Sequence, residues 1–436
     1  MKLYSTRQKA PEASLQQALF AGMPADQGLY MPVAIPRLPV ETLNLMEGLA
    51  FPEIAFLIAQ ALIGDSVEDQ VLKEITREAF SFPVPLRQIG ENEYVLELFH
   101  GPSLAFKDFG ARFMSRLMGS FPSLDKRELQ ILVATSGDTG GAVAMGFYGV
   151  PGIRVTILYP SGRVSNLQEK QMTTLGGNIR ALEVAGSFDD CQGMVKQAFA
   201  DRSLNQELRL SSANSINIGR LIPQIFYYFY GWACLPARKS ALYYSVPSGN
   251  FGNLVAGLMA WKMGLPITRL AASTNANDVV PQWLISGEYR PRPSVHTLST
   301  AMDVGNPSNF ERIVSLFQGD RELVKSMVSG YSFSDEETRQ AIRRVYDWTG
   351  YILCPHSAVA WLGLQALTAE KRGGQYAAVL LATAHPGKFP DIYDADMASQ
   401  IHLPELDFNM QGAQQISVKI AAEYSGLRRI LLESSR

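Results

Sequence analysis

The amino-acid sequence predicts an α/β fold, in which strands buried on both faces of parallel sheets alternate with helices. Short, continuous apolar runs occupy 130–135, 241–246 and 377–383, with the length and composition of strands in such sheets. The first two runs lead through loops of small residues into stretches with helical periodicity. This order of strand, loop and helix is typical of right-handed parallel crossovers, and no internal repeat interrupts it.

The N-terminal section, 1–85, is predicted to be mostly helical. Its apolar residues recur at helical spacing, as at Leu15 and Leu19. Pro83 and Pro85 mark its end, because two prolines so close together stop any helix. We assign no chemistry to this section.

The later elements are predicted in chain order from apolar runs and helix-capping patterns. Ser334 and Glu337 form a capping-box pattern at the start of one helix, and Ser357 is expected to cap another. The predicted strands are 130–135, 153–159, 178–184, 241–246 and 377–383, and the predicted helices are 142–148, 188–200, 219–235, 254–263, 335–348 and 358–369.

Composition excludes several classes of function. The 436 residues carry a net charge of -2 without a long basic run, which argues against non-specific nucleic-acid binding. The longest apolar runs are too short to cross a bilayer, and 1–23 lacks the apolar core of a signal peptide. The five histidines show no metal-ligand spacing, and the cysteines are odd in number and widely separated. We therefore expect a cytoplasmic protein without a metal or disulfides.

Lys107 is the first candidate for chemistry, because apolar residues surround it in the stretch 96–109. Burial disfavours the charged ammonium, lowers the pKa of a lysine and leaves a free amine that can condense with an aldehyde. The alternative is a lysine whose stem packs on apolar surface while its ammonium reaches water. This stretch alone does not decide between the two.

The segment 248–253 is the second candidate, because two glycines and two asparagines stand there between a buried strand and a helix. Backbone N–H groups in such a loop form a concave site for a phosphate at the helix N-terminus. The alternative is a tight turn that needs glycine for its backbone conformation. No Gly-Lys-Ser/Thr follows the glycines, so the segment is not a Walker loop.

Other strand ends supply weaker candidates. The small residues of 136–140 follow a buried strand, but their glycine spacing is wrong for a dinucleotide fingerprint. Thr383 offers a hydroxyl at the same kind of edge, or is simply a strand terminus. Cys354 near His356 suggests a thiol nucleophile, although packing is the better explanation of the pair. A buried lysine, an anion-binding loop and strand-end hydroxyls together fit pyridoxal phosphate, which needs an amine, a phosphate site and a partner for its ring nitrogen.

The segment around the lysine, His100-Gly101-Pro102-Ser103-Leu104-Ala105-Phe106-Lys107-Asp108-Phe109, resembles the cofactor-lysine motif of the threonine synthases. These are phosphate-eliminating enzymes that end threonine biosynthesis. Further segments of this chain resemble other motifs of the same family. These motifs occur together and in order over nearly the whole chain, which makes the resemblance specific. The other similar segments are 4–7, 28–30, 134–140, 162–165, 168–172, 214–217 with Arg220, 249–253, 273–278 and 382–386.

The resemblance implies a role for each candidate residue. Lys107 would be the catalytic residue and bind pyridoxal 5'-phosphate covalently, and Thr383 would hydrogen-bond the pyridine nitrogen. Asp138 is expected near the ring hydroxyl. The cofactor's phosphate would be held by Gly249, Asn250, Phe251, Gly252 and Asn253, and the substrate by Asn214, Arg220 and Ser103.

The implied reaction converts O-phospho-L-homoserine and water to L-threonine and phosphate. The Lys107 amine would move protons at Cα and Cβ of the substrate, phosphate would leave from Cγ, and water would add at Cβ. A neutral hydroxyl at Thr383 would not favour protonation of the pyridine nitrogen, which should discourage side reactions such as transamination.

The implied fold is tryptophan-synthase-β-like, the fold type II of pyridoxal-phosphate enzymes, with two open α/β domains and the cofactor between them. By analogy we expect a helical N-terminal section at 1–85, a large cofactor-binding domain at 86–114 with 202–436, and a small domain at 115–201. The expected partner is a small-molecule substrate, without nucleic acid or membrane, and the expected assembly is a monomer or homodimer.

Three alternatives remain open from the sequence. A serine or threonine dehydratase, or an O-acetylserine-dependent synthase, would share the fold but act on smaller leaving groups that do not need Asn214 with Arg220. A non-catalytic relative would bind a phosphorylated metabolite without turnover, against which an intact Lys107 counts. A dinucleotide enzyme is disfavoured by the glycine spacing.

Overall fold

The computed structural model describes residues 1–122, 127–236, 238, 241–369, 375–404 and 414–433. Its strands are β1 (Lys2–Ser5), β2 (Ala13–Ser14), β3 (Tyr30–Pro32), β4 (Leu86–Gln88), β5 (Glu93–Glu97), β6 (Leu129–Ala134), β7 (Ile153–Pro160), β8 (Ile179–Ala185), β9 (Arg209–Ser212), β10 (Ala241–Pro247), β11 (Ile267–Thr274), β12 (Val328–Ser332), β13 (Tyr376–Ala382) and β14 (Ser417–Ala421).

The α-helices of the described residues alternate with these strands. They are α1 (Leu15–Ala21), α2 (Val40–Leu45), α3 (Phe51–Ile63), α4 (Asp69–Ala79), α5 (Lys107–Ser120), α6 (Asp138–Phe147), α7 (Asn166–Thr173), α8 (Phe188–Ala200), α9 (Arg202–Glu207), α10 (Ile218–Leu221), α11 (Phe226–Ala233), α12 (Gly252–Lys262), α13 (Val279–Ser286), α14 (Phe310–Leu316), α15 (Arg321–Met327), α16 (Asp335–Thr349), α17 (Pro355–Thr368), α18 (Ala395–Ala398) and α19 (Tyr424–Glu433). Short 3₁₀ helices occupy Ile222–Ile225, Thr300–Met302, Pro386–Lys388 and Pro390–Ile392.

The larger open sheet has six strands in the order β12-β11-β10-β13-β5-β4. All neighbouring strands in it are parallel except β4, which pairs antiparallel with β5. Its central strands β10 and β13 are buried on both faces, as expected for a sheet covered by helices on each side. One core cluster packs β5, β10 and β13 against α16 and α17 through Val95, Tyr243, Leu380, Val345 and Leu364.

The smaller open sheet has five parallel strands in the order β14-β8-β7-β6-β9. Every residue of β6 is buried. A core cluster joins β6, β7 and β8 to α8 and α19 through Leu132, Leu158, Leu182, Met194 and Leu427. A further three-stranded sheet has the order β2-β1-β3. The α/β class with open parallel sheets is therefore confirmed.

The chain forms two compact units, whose limits differ from the predicted domain boundaries. The first unit contains Met1, Met31–Phe106 and Leu221–Pro404, and the second contains Lys2–Tyr30, Lys107–Arg220 and the described C-terminal stretch, 414–433. The C-terminal stretch belongs to the second unit because β14 extends the five-stranded sheet beside β8. The use of these units as functional domains stays a prediction.

Most predicted elements lie within a few residues of observed ones, and two need correction. The predicted helix 219–235 is broken into α10, a 3₁₀ turn and α11, because Pro223 cannot continue an α-helix. The helix expected to begin after Ser357 begins earlier, at Pro355. Proline suits the first helical position, and Cys354 supplies the cap that Ser357 was expected to provide.

The capping box at Ser334 and Glu337 is confirmed, since each side chain pairs with the backbone N–H of the other residue. Among the described residues, none of the helices is both long and apolar enough to span a membrane. In the same part of the chain, no group of three or more His, Cys, Asp or Glu side chains could hold a metal ion.

Candidate active site

Lys107 begins α5, and a strained turn precedes it. Leu104 is buried with φ of 56°, in the left-handed region. A branched residue there costs about 1–3 kcal/mol, and such strain persists only where the surroundings enforce it. The N–H of Phe106 donates to the Thr383 carbonyl at 2.9 Å, and the N–H of His385 donates to the Leu104 carbonyl at 3.0 Å. The end of β13 therefore fixes the backbone that leads to Lys107.

Lys388 adds a third contact to the same turn. This lysine is only 3% exposed, and its Nζ donates to the backbone carbonyl of Ser103 at 2.7 Å. Ser103 is itself fully buried, and its hydroxyl lies 3.5 Å from the carbonyl of Ala105. No role was predicted for Lys388, because no local pattern distinguishes it from a surface lysine. Its partner lies 285 positions away.

His385 stands beside this contact as a neutral imidazole. Its Nδ1 accepts from the N–H of Gly387 at 3.0 Å, which leaves the ring proton on Nε2. Burial lowers the pKa of His385 to about 4, with His100 and Lys388 adding to the effect and Glu97 opposing it. A positive charge therefore does not form on this ring at neutral pH.

In the second unit, the Lys107 ammonium lies beside a carboxylate. Its Nζ is 3.5 Å from Oδ2 of Asp138, whose side chain is 5% exposed. The other carboxylate oxygen accepts from Nε2 of Gln168 at 2.9 Å. From the sequence, a buried neutral amine and a solvated ammonium were both open for Lys107. The contact with Asp138, 31 positions away in sequence, supplies a counter-charge that the sequence around Lys107 does not indicate.

Gln168 is a second residue without an assigned role in the sequence analysis. It stands at the third position of a capping box begun by Ser165, and its Oε1 accepts from the Ser165 N–H at 3.0 Å. Its Nε2 is thereby directed to Asp138. Gly137 makes this approach feasible, because a Cβ at that position would lie 2.4 Å from Cδ of Gln168. The capping pattern was the available signal, but it indicates a helix start rather than a contact with Asp138.

In the loop between β6 and α6, residues 135–137, one side chain satisfies two backbone N–H groups. Oγ1 of Thr135 accepts from the N–H groups of Gly137 and Gly140, each at 2.9 Å. Asp138 then stands in the first turn of α6. A carboxylate in the first turn complements the helix dipole and repels an external anion. This β6–α6 loop is therefore suited to a cation, which here is Lys107.

The loop between β10 and α12, residues 248–251, has the opposite character. Phe251 holds the N-cap position of α12 in the left-handed region, with φ of 60°. Gly249 packs so closely that a Cβ there would lie 2.7 Å from Cα of Met302. Oδ1 of Asn250 accepts from the N–H of Ser308 at 2.7 Å. Neighbouring segments thus hold this β10–α12 loop in a conformation that is strained at Phe251.

Asn253, in the first turn of α12, carries a donor without an acceptor. Its Oδ1 accepts from the hydroxyls of Tyr227 and Tyr228, at 2.7 and 2.8 Å. Its Nδ2 is buried and has no hydrogen-bond partner in the described protein. A buried unsatisfied donor costs about 1–3 kcal/mol, which a bound anion at the helix N-terminus would recover. The residues of this loop therefore fit the phosphate of pyridoxal phosphate.

The remaining predicted residues lie near the ends of their strands. Thr383, immediately after β13, is 6% exposed. Asn214 donates through Nδ2 to the carbonyl of Ala134, the last residue of β6, at 2.9 Å. Ser103, Thr383 and 249–253 thus lie in the first unit, whereas Lys107, Asp138, Asn214 and Arg220 lie in the second.

Arg220 is buried deeply in the second unit. Its Nη1 donates to the carbonyl of Ala213 at 2.5 Å, and a Cβ on Gly110 would lie 2.6 Å from its Nε. Burial lowers the pKa of Arg220 to about 10, and the charge of Asp108 opposes that shift. The guanidinium therefore stays charged at neutral pH within a close-fitting surround.

Cys354 caps α17 through its Sγ, which accepts from the N–H of Ser357 at 3.4 Å. Burial raises the pKa of the Cys354 thiol. A buried thiol that stays protonated is a poor nucleophile, so packing and capping account for this residue.

Comparison with known proteins identifies relatives over the full chain. Residues 80–383 match the model of the pyridoxal-phosphate dependent enzymes, and residues 2–80 match that of the threonine synthase N terminus. Threonine synthase from Haemophilus influenzae is 44% identical over 436 residues, which cover 100% of both chains. The enzyme from Escherichia coli is 42% identical over 433 residues, 99% of both chains. The solved structure of pyridoxal-phosphate-bound threonine synthase from Brucella melitensis, 36% identical, superimposes with a TM-score of 0.92 over 100% of each chain.

Proposed function

Because the chain belongs to the threonine synthase family of pyridoxal-phosphate-dependent enzymes, we propose that Lys107 is the residue that carries its cofactor and its proton transfers. The activity is that of a threonine synthase, which converts O-phospho-L-homoserine and water to L-threonine and phosphate. The observation that carries this function is the full-length identity to threonine synthases, N-terminal section included. It separates the chain from dehydratases and O-acetylserine-dependent synthases of the same fold.

Bound pyridoxal phosphate supplies an electron sink conjugated to the substrate's Cα. The Lys107 amine takes the proton from Cα and then moves protons at Cβ. Whenever the amine carries a proton, the Asp138 carboxylate 3.5 Å away stabilises its charge. Gln168 keeps that carboxylate oriented, through its contact with the other oxygen. Asp138 is also our candidate for contacts near the ring hydroxyl.

The β10–α12 loop, with Gly252 and Asn253, is the proposed site of the cofactor's phosphate. Support comes from the unsatisfied Nδ2 of Asn253 and from Gly249, which admits no side chain. Thr383 is proposed to hydrogen-bond the pyridine nitrogen. Its neutral hydroxyl leaves that nitrogen unprotonated, which restrains the electron sink and disfavours transamination.

Asn214, Arg220 and Ser103 are proposed to bind the substrate, with Arg220 nearest its phosphate. Arg220 is charged at neutral pH and adjoins the Asn214 segment through the Ala213 carbonyl. The alternative is a purely structural arginine, enclosed by Gly110 and paired electrostatically with Asp108. An Arg220→Lys variant separates these two roles, because lysine keeps the charge but loses the guanidinium geometry.

We further propose that the enzyme works in the cytoplasm on a small-molecule substrate, as a monomer or homodimer. The cysteines support a reducing compartment, since Cys191 and Cys354 are buried and all three cysteines are free. Light scattering of the purified protein would give its mass, and a tetramer would contradict the proposed assembly.

The function is tested by supplying O-phospho-L-homoserine to the purified holoenzyme and measuring phosphate and threonine. We expect equal amounts of both products. Borohydride reduction should then fix the cofactor on Lys107, and peptide mapping should find Lys388 unlabelled. Label on Lys388 would overturn the lysine assignment, whereas the absence of threonine would overturn the activity.

A further inference from the structure

Asn309 is a second buried asparagine with an unused donor. It is fully buried, and its Oδ1 accepts from Nη1 of Arg312 at 2.6 Å. Its Nδ2 has no hydrogen-bond partner in the described protein. Nothing in the chain's secondary structure requires this cost, because the amide does not cap α14. A bound anion would satisfy a buried donor of this kind and recover its cost.

Asn309 lies next to the proposed phosphate site. Ser308, immediately before it, donates its N–H to Oδ1 of Asn250 in the β10–α12 loop at 2.7 Å. Both segments belong to the first unit. The hydrogen bond therefore joins two segments that each carry a buried asparagine with an unsatisfied Nδ2. Asn253 follows the β10–α12 loop, and Asn309 follows Ser308.

The Arg312 guanidinium places a positive charge next to Oδ1 of the Asn309 amide. Burial lowers the pKa of Arg312 to about 9, and Glu311 opposes that shift, so the guanidinium is charged at neutral pH. A charged donor on Oδ1 polarises the amide and strengthens its N–H groups as donors. The β10–α12 loop, Ser248 to Phe251, contains no lysine or arginine of its own. By polarising the Asn309 amide, the Arg312 charge would stabilise an anion at a loop that has no cationic side chain.

We propose that Asn309, polarised by Arg312, is an additional ligand of the cofactor's phosphate, with its Nδ2 donating to a phosphate oxygen. Arg312 is a positioning residue that acts through Asn309. The inference rests on the proposed assignment of the β10–α12 loop as the phosphate site. It adds to that site a segment that begins more than fifty positions further along the chain.

The test compares the affinity of the apoprotein for pyridoxal phosphate with its affinity for pyridoxal, which has the aldehyde but no phosphate. Asn309→Asp keeps an acceptor for Arg312 but turns the free donor into a carboxylate oxygen. We expect pyridoxal phosphate to bind about a hundredfold more weakly and pyridoxal to bind as before. The matched control is Asn306→Asp, an exposed residue three positions away whose Oδ1 only accepts from the Tyr289 hydroxyl. It adds the same charge and should change neither affinity.

Two further variants keep the inference falsifiable if Asn309→Asp does not fold. Asn309→Ala removes the donor without adding charge and should weaken pyridoxal phosphate about tenfold. Arg312→Lys should weaken it less. Equal losses for pyridoxal and pyridoxal phosphate would show a structural role and overturn the inference. If these variants discriminate the two ligands as well as the wild type does, Asn309 is not a ligand, while the proposed function stands. A wild-type protein that itself fails to prefer pyridoxal phosphate would instead overturn the proposed phosphate loop.

Discussion

The β6–α6 and β10–α12 loops look alike in sequence and differ in chemistry. Each follows a strand buried along nearly its whole length, contains small residues, and leads into a helix. In the β6–α6 loop, Thr135 consumes two backbone N–H groups, and Asp138 places a carboxylate in the first helical turn. After the β10–α12 loop, the first turn of α12 has no acidic residue, and Nδ2 of Asn253 in that turn has no hydrogen-bond partner in the described protein.

This difference explains why one loop faces a lysine and the other suits a phosphate. Glycine content alone predicts a tight turn and leaves the ligand undecided. We infer that the ligand depends on whether donors at the loop are already satisfied, as by Thr135 but not for Nδ2 of Asn253, and on the charge of the first helical turn. Each of the following changes tests one side of that distinction.

Replacing Lys107 with alanine removes the cation from the β6–α6 side and should have the largest effect. We expect turnover to fall on the order of 10³-fold or more, because no amine remains for covalent attachment or proton transfer. Pyridoxal phosphate should still bind, since the β10–α12 loop is intact. Turnover and equilibrium dialysis measure the two effects, with exposed Lys196→Ala as the control. A Lys107→Ala variant with normal turnover would contradict the assignment.

Asn253→Asp gives the β10–α12 loop the first-turn carboxylate that the β6–α6 loop has. Oxygen at Oδ1 still accepts from Tyr227 and Tyr228, so the fold should be kept. We expect affinity for pyridoxal phosphate to fall about a hundredfold through loss of a donor and charge repulsion. Affinity for pyridoxal should change little. Unchanged discrimination between the two compounds would show that first-turn charge does not decide the ligand.

Arg220→Lys tests whether the Arg220 guanidinium binds the substrate's phosphate, in contrast to the neutral donors proposed for the cofactor's phosphate. Lysine keeps a positive charge near Asp108 but loses the planar guanidinium geometry. We expect kcat/KM for O-phosphohomoserine to fall roughly ten- to a hundredfold, with cofactor affinity unchanged. Inorganic phosphate should also inhibit the variant less. Wild-type kcat/KM with equal phosphate sensitivity would leave Arg220 with a structural role only.

Asp138→Asn removes the charge of the β6–α6 loop while keeping an oxygen for Gln168. We expect kcat to fall about tenfold, because the protonated Lys107 amine loses its counter-charge. The ratio of affinities for pyridoxal phosphate and pyridoxal should not change. Asp189→Asn, on the exposed face of α8, serves as the matched control. A changed affinity ratio would mean that Asp138 influences phosphate binding and that the two loops are not independent.

Local patterns made the strands around these loops predictable. The runs that became β6, β10 and β13 were found within one or two residues, since burial on both faces leaves an apolar sequence. β12 was missed because it is short and only its first residue is buried, and β11 was missed because Thr268 and Arg269 interrupt its apolar run. The motif containing Asn275 was identified without its strand.

Contacts between distant segments were not predictable in the same way. Nothing near Lys107 indicates that Asp138 lies beside it, and nothing near Ser103 indicates Lys388. The left-handed conformations of Leu104 and Phe251 were also unexpected, because neither side chain favours them. Tertiary contacts impose both conformations. A resemblance in motifs identifies the residues of a site but not the distant residues that contact them.

Thr135→Val should give the smallest effect. It tests only whether satisfied N–H groups distinguish the β6–α6 loop from the β10–α12 loop. Valine has nearly the shape of threonine but leaves the buried N–H groups of Gly137 and Gly140 without their acceptor. We expect a loss of about 2 kcal/mol in stability, seen as a lower urea midpoint, because unsatisfied donors cost more than the hydrogen bonds they lose. Thr135→Ser keeps the acceptor and should cost less than about 1 kcal/mol. The new donors should still not attract inorganic phosphate, since Asp138 repels it from the same turn. If Thr135→Val is as stable as Thr135→Ser, internal satisfaction of the N–H groups does not distinguish the loops, and the first-turn charge alone would have to explain their different ligands.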